Sequence, residues 1–138
     1  MSIWGRRVSA RAVVAVAAAF VAVAGLLPVL TLPLGGSARP RVVALVAKDM
    51  AFYLASDLGN ANPVIDARAG ERLRVVLQNR DRGLTHDFAV PDTDAATGAL
   101  SWNEEDQVTF DVPDVPGTYE YVCRPHLLMM KGTLRVTR

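Results

Sequence analysis

A chain of 138 residues with a formal net charge of +1 is sized for a single domain. Its hydrophobic residues, 51% of the total, are unevenly spread, and one block near the start takes a large share of them. From residue 39 onward, 14 acidic residues face 12 basic ones, so that part carries about −2 and lacks the basic patch that nucleic-acid binding requires.

In chain order, Arg6, Arg7 and Arg11 come first, with no acidic residue among them. Residues 12–34, "AVVAVAAAFVAVAGLLPVLTLPL", follow as 23 apolar positions without a polar face. A basic start, an apolar run and the small residues Gly36-Ser37-Ala38 make an export signal. The run is also long enough to span a bilayer, so it is either cleaved near residue 38 or kept as a membrane anchor. In both cases the arginines mark the cytoplasmic side, and residues 39–138 are expected outside, periplasmic or at the cell surface. The chain thus divides into a signal or anchor, 1–38, and a domain, 39–138.

That domain reads as short strands. Residues 41–47, "RVVALVA", are apolar and β-branched. Residues 72–79 alternate Leu73, Val75 and Leu77 against Arg72, Arg74 and Gln78. "HDFAV" sets His86, Phe88 and Val90 on one face, and "QVTFDV" follows at 107–112. "TYEYVC" places Tyr119, Tyr121 and Cys123 together, and "GTLRV" brings Leu134 and Val136 together. Alternation of period two marks half-buried antiparallel strands. The segments "DLGNANP", "ARAGE", "NRDRG" and "PDVPG" supply turn chemistry between them. No stretch of a dozen residues here carries a helical stripe. Short strands at regular spacing over about 100 residues predict a two-sheet sandwich.

The chemistry concentrates in "YVCRPHLLMMKG", residues 121–132. Cys123 is the only cysteine, so it forms no internal disulfide, and a free thiol in an exported domain calls for an occupant. His126 lies three residues on, in a loop stiffened by Pro125. Met129 and Met130 come next, and His86 begins an earlier strand. A sandwich can bring one strand's end and another's start to the same pole. The result is one thiolate, two imidazoles and a thioether, the donor set of a blue-copper electron-transfer site. Thioether is a poor zinc ligand. The C-x-x-C-H of haem attachment is absent.

With those residues in view, "PGTYEYVCRPHLLMMKGTLRV" resembles the C-terminal motif of the cupredoxins, the plastocyanin and amicyanin group in particular. "GLTHDFAV" looks like the strand that carries that family's first histidine ligand. The resemblance runs from about residue 42 to 136 and implies an all-β, eight-stranded Greek-key sandwich, which the apolar run of residues 12–34, read as a signal or anchor helix, is expected to precede. It also implies a single type 1 copper ion and one-electron transfer. Matched residue by residue, it implies His86, Cys123 and His126 as strong ligands and Met130 as the axial one, since Met130-Lys131-Gly132 fits Met-x-Gly. Met129, one residue nearer, competes for that role.

The family usually places Asn after the first histidine, whereas Asp87 stands there in this chain and Arg124 follows the cysteine. Asp87 and Arg124 are expected to replace that tie with a charged one, with Pro125 beside them. Leu84, Leu127, Leu128 and Met129 are expected to surround the His126 edge as an apolar docking patch for transient redox partners. The reading is therefore a monomeric, exported electron carrier and not an enzyme. The two histidines are both used, which leaves none for a second copper centre. A copper carrier, or an accessory module of a membrane redox complex, is the alternative.

Overall fold

The computed structural model describes residues 39–91 and 93–138. The predicted signal or anchor lies outside them, and no helix among the described residues is long and apolar enough to cross a membrane. Among the described residues, seven strands form two sheets. In chain order they are β1 (Arg41–Lys48), β2 (Ala51–Leu54), β3 (Val64–Arg68), β4 (Arg72–Asn79), β5 (Glu105–Asp111), β6 (Gly117–Val122) and β7 (Lys131–Thr137). One sheet has the order β2-β1-β4-β5 and the other β3-β7-β6. β1 runs parallel to β4 and β3 parallel to β7, while the other neighbours are antiparallel.

The alternation read from the sequence explains how the sheets face each other. Leu73, Val75 and Leu77 of β4, Tyr121 of β6, and Leu134 and Val136 of β7 all point into one buried cluster. At its centre the Tyr121 ring lies 5.3 Å from Phe52 and 5.5 Å from Phe88. The Tyr121 hydroxyl donates to the Pro63 carbonyl at 2.6 Å, so the polar end of this buried ring is satisfied. Gly132 lies against the same ring, and a Cβ at Gly132 would collide with it.

The eight strands expected from the resemblance become seven. β2 and β3, short stretches that the alternation did not single out, are present. The expected strand at "HDFAV" is absent as a ladder. Residues 86–90 are buried without alternation, and they switch partners: His86 bridges Leu100, whereas Ala89 bridges both Ala96 and Val122. A segment that changes partner within three residues cannot sustain a regular hydrogen-bond ladder. The switch carries His86 to the pole where β4 and β6 both end.

A second turn matters for that pole. β1 and β2 are joined by Asp49 and Met50, both at positive φ (52° and 59°). This is the conformation of a tight two-residue hairpin turn. It leaves two backbone N–H groups facing outward from the hairpin, and both find an acceptor on the loop after β4.

Candidate metal centre

Cys123 follows the last residue of β6 and is fully buried. The chain then enters a single 3₁₀ turn, Arg124–His126, with Pro125 in its first positions. Proline suits that place because its fixed φ and missing N–H cost nothing there. The turn closes on itself. The His126 N–H donates to the Cys123 carbonyl at 3.0 Å, and the N–H groups of Met129 and Met130 both donate to the His126 carbonyl at 2.9 Å. The Cys123 N–H then donates to the Met130 carbonyl at 3.0 Å, which draws both ends of the loop together.

Three ligand-capable atoms converge as a result. His86 Nδ1 lies 3.6 Å and His126 Nδ1 3.4 Å from Cys123 Sγ. The ligand atoms of the three residues all fall within 4.8 Å of one another. The two imidazole rings sit 4.9 Å apart at 52°. The methionines part company: Met130 is 0% exposed and packs in the same buried cluster as Cys123, whereas Met129 is 63% exposed. Leu127, Leu128, Met129 and Leu84 are all exposed.

The surroundings tune these groups. Burial pushes the Cys123 thiol up from its ordinary value, against the pull of the backbone N–H groups of Asp87 and His126. Burial also lowers His86, outweighing the Asp81 carboxylate that favours its charged form. Both shifts favour neutral side chains in a site of low dielectric.

Asp87 is 3% exposed, and its carboxylate is fully engaged. It accepts the Arg124 backbone N–H at 2.7 Å and the Arg124 Nε at 2.6 Å. The same guanidinium donates to the Thr97 carbonyl at 3.0 Å. Asp87 and Arg124 thus join the segment bearing His86 to the turn bearing His126.

Two residues here were not singled out from the sequence. Asn79 ends β4 at 0% exposure. Its Nδ2 donates to the carbonyls of Leu84 and Leu100, each at 2.8 Å, and its Oδ1 accepts the Asp81 N–H at 2.8 Å. Asp81 in turn accepts from His86 Nε2 at 2.9 Å and from the N–H groups of Asp49 (2.8 Å) and Met50 (3.2 Å). Burial works to raise Asp81, but these donors hold it below the usual carboxylate range. Both residues lie in "NRDRG", which reads from sequence as an ordinary turn. The one available signal was the β4 alternation, which carries on past Leu77 to place Asn79 on the buried face.

The profile of the copper binding proteins of the plastocyanin/azurin family matches residues 65–137. Similar folds include auracyanin A, a blue copper protein from Chloroflexus aurantiacus, at 19% identity and TM-score 0.57, covering 71% of this chain and 99% of that one. Auracyanin B is 26% identical with TM-score 0.56, covering 71% and 89%. Rusticyanin from Thiobacillus ferrooxidans is 24% identical with TM-score 0.56, covering 70% and 76%. Comparison with curated protein sequences finds no match. The chain belongs to the plastocyanin/azurin family of copper-binding proteins, and its cofactor is copper in a type 1 site. The donor set fits that ion: one sulfur and two imidazole nitrogens face a common point, with a thioether side chain buried in the same cluster.

Proposed function

We propose that the chain is an electron carrier that works outside the cytoplasm, with His86 Nδ1, Cys123 Sγ and His126 Nδ1 as the strong copper ligands and Met130 as the axial one. The observation that carries this reading is the convergence of those three atoms within 4.8 Å on a buried framework. Copper supplies a one-electron change between Cu(II) and Cu(I). The chain's part is to keep the donors in one arrangement for both states.

Each of the three strong donors is held by backbone or side-chain bonds that do not involve a metal. Cys123 is held by the Met130 carbonyl, the His126 turn by the Cys123 carbonyl, and His86 by Leu100 and Asp81. A site that needs no rearrangement lowers the cost of moving an electron. Met130 is favoured over Met129 because a side chain buried beside Cys123 can face the metal, while one that is mostly exposed faces solvent.

His126 is the half-buried member of the set, and Leu127, Leu128 and Met129 stand exposed immediately after it. Leu84 adds to that apolar surface. A small apolar rim around a metal-ligand edge suits a brief encounter with a redox partner. The basic start and apolar run of residues 6–34 support export. Copper transport without electron transfer is the competing reading, and the rigid framework favours electron transfer over it.

The experiment is voltammetry of the full chain loaded with one equivalent of Cu(II). The expected result is a reversible one-electron wave that persists over repeated cycles. Copper released on reduction would favour the transport reading instead.

A further inference from the structure

The Asp81 carboxylate is 12% exposed, and three N–H groups surround it. Two come from the backbone of the β1–β2 turn. The third is His86 Nε2, on a side chain that is 0% exposed. An ionised carboxylate only accepts hydrogen bonds, so its partner on the imidazole must carry the proton. With the proton at Nε2, the neutral ring keeps a lone pair at Nδ1, and Nδ1 is the atom that faces Cys123.

Asp81 has no other counter-charge among the described residues. Of its arginine neighbours, Arg80 donates to Gln78 and Arg82 lies over the Trp102 ring at 3.9 Å. Asp87 differs, because Arg124 pairs with it.

We infer that Asp81 is a positioning residue for the copper site. It sets the tautomer and orientation of His86, fastens that ring to the β1–β2 turn, and places an unpaired negative charge behind the ligand. Carboxylates that accept from a ligating histidine raise its basicity and fix its ring. The added charge favours Cu(II) over Cu(I), so it lowers the reduction potential. This inference rests on the proposed ligand role of His86.

A purely structural role predicts something different. If Asp81 served only to hold the hairpin turn, its removal would lower stability and leave His86 and the potential unchanged.

The test uses the full chain and two variants. In Asp81→Asn an amide oxygen can still accept from His86 Nε2, but the charge is gone. In Asp81→Ala both acceptor and charge are gone. Imidazole ¹⁵N NMR of the copper-free protein reads the tautomer, and titration with Cu(II) sulfate followed by voltammetry reads affinity and potential. The expected results are an Nε2–H tautomer in the parent chain, a mixture of tautomers in Asp81→Ala, and Cu(II) binding about 10- to 100-fold weaker in that variant. Asp81→Asn should keep the tautomer but raise the potential. If Asp81→Ala does not fold, the Asp81→Asn potential decides alone. A potential unchanged in Asp81→Asn, with only the melting temperature lowered, overturns the inference. A parent chain that binds no Cu(II) through Cys123 defeats the copper reading instead, and the copper-free tautomer still judges Asp81.

Discussion

The two ends of the sandwich handle polar groups in opposite ways. At the end where β4 finishes, Asn79, His86 and Asp87 are buried, Asp81 nearly so, and all have hydrogen-bond partners. At the end where β1 and β4 begin, the charges are exposed or, at Glu71, half-buried. Arg41 pairs with Glu71 there, and Arg72 pairs with Asp111 across β4 and β5. A buried polar group without a partner costs far more than an exposed ion pair gains. The metal end therefore depends on a complete network, while the other end needs only solubility. Of the two, only the metal end should respond strongly when a single polar atom is removed.

The sharpest way to break that contrast is Asn79→Ala. It strands the Leu84 carbonyl and the Asp81 N–H and leaves the Leu100 carbonyl with the His86 N–H alone, all near the site. A loss of about 3 kcal/mol or more in denaturant unfolding is expected. A loss below about 1 kcal/mol would show that water takes over those contacts.

Gly132→Ala comes next. The new methyl meets the Tyr121 ring, which cannot retreat because Phe52 and Phe88 pack against it and its hydroxyl is bonded to Pro63. Thermal unfolding should show a cost of about 1–3 kcal/mol.

A smaller effect is expected from the Asp87–Arg124 pair. Arg124 is 54% exposed and its partner 3%, so the pair lies between the two regimes. In a cycle of Asp87→Asn, Arg124→Ala and the double variant, the shifts in reduction potential should be non-additive. Independent shifts would mean that the pair does not act on the metal.

The smallest effect belongs to the far end. Glu71 is held below the usual carboxylate range, mainly by the hydrogen bond from Arg41, against a partial burial that raises it. A depressed carboxylate contributes stability above its unfolded value of about 4.3, and that contribution is lost as pH falls through the folded value. Glu71→Gln should therefore cost little at pH 7, under about 1 kcal/mol, and should flatten the fall in stability below pH 4. A large loss at pH 7 would contradict the contrast between the two ends.

The same contrast explains what was legible in the sequence. Cys123 and His126 stood out because their three-residue spacing is local, and His86 because it is the only other histidine. The buried faces of β4, β6 and β7 followed from alternation. β2 and β3 were missed because they are only four and five residues long. The segment at His86 was expected as a regular strand, but it changes partners midway, and partner choice is not written in any local pattern. Asn79 and Asp81 look like turn residues because the same side chains serve turns and buried networks alike. Only the tertiary placement of the β1–β2 turn and of the His86 ring gives Asp81 its three donors.

The proposed copper site holds one ion through the Cys123 sulfur and a ring nitrogen from each of His86 and His126. The most direct measurement is the visible and electron paramagnetic resonance spectrum of the full chain with one equivalent of Cu(II), beside Cys123→Ser. That ligand set predicts an intense blue thiolate-to-copper band and unusually narrow copper hyperfine splitting, both lost in the variant. A pale solution with an ordinary tetragonal copper signal, unchanged in Cys123→Ser, would contradict it.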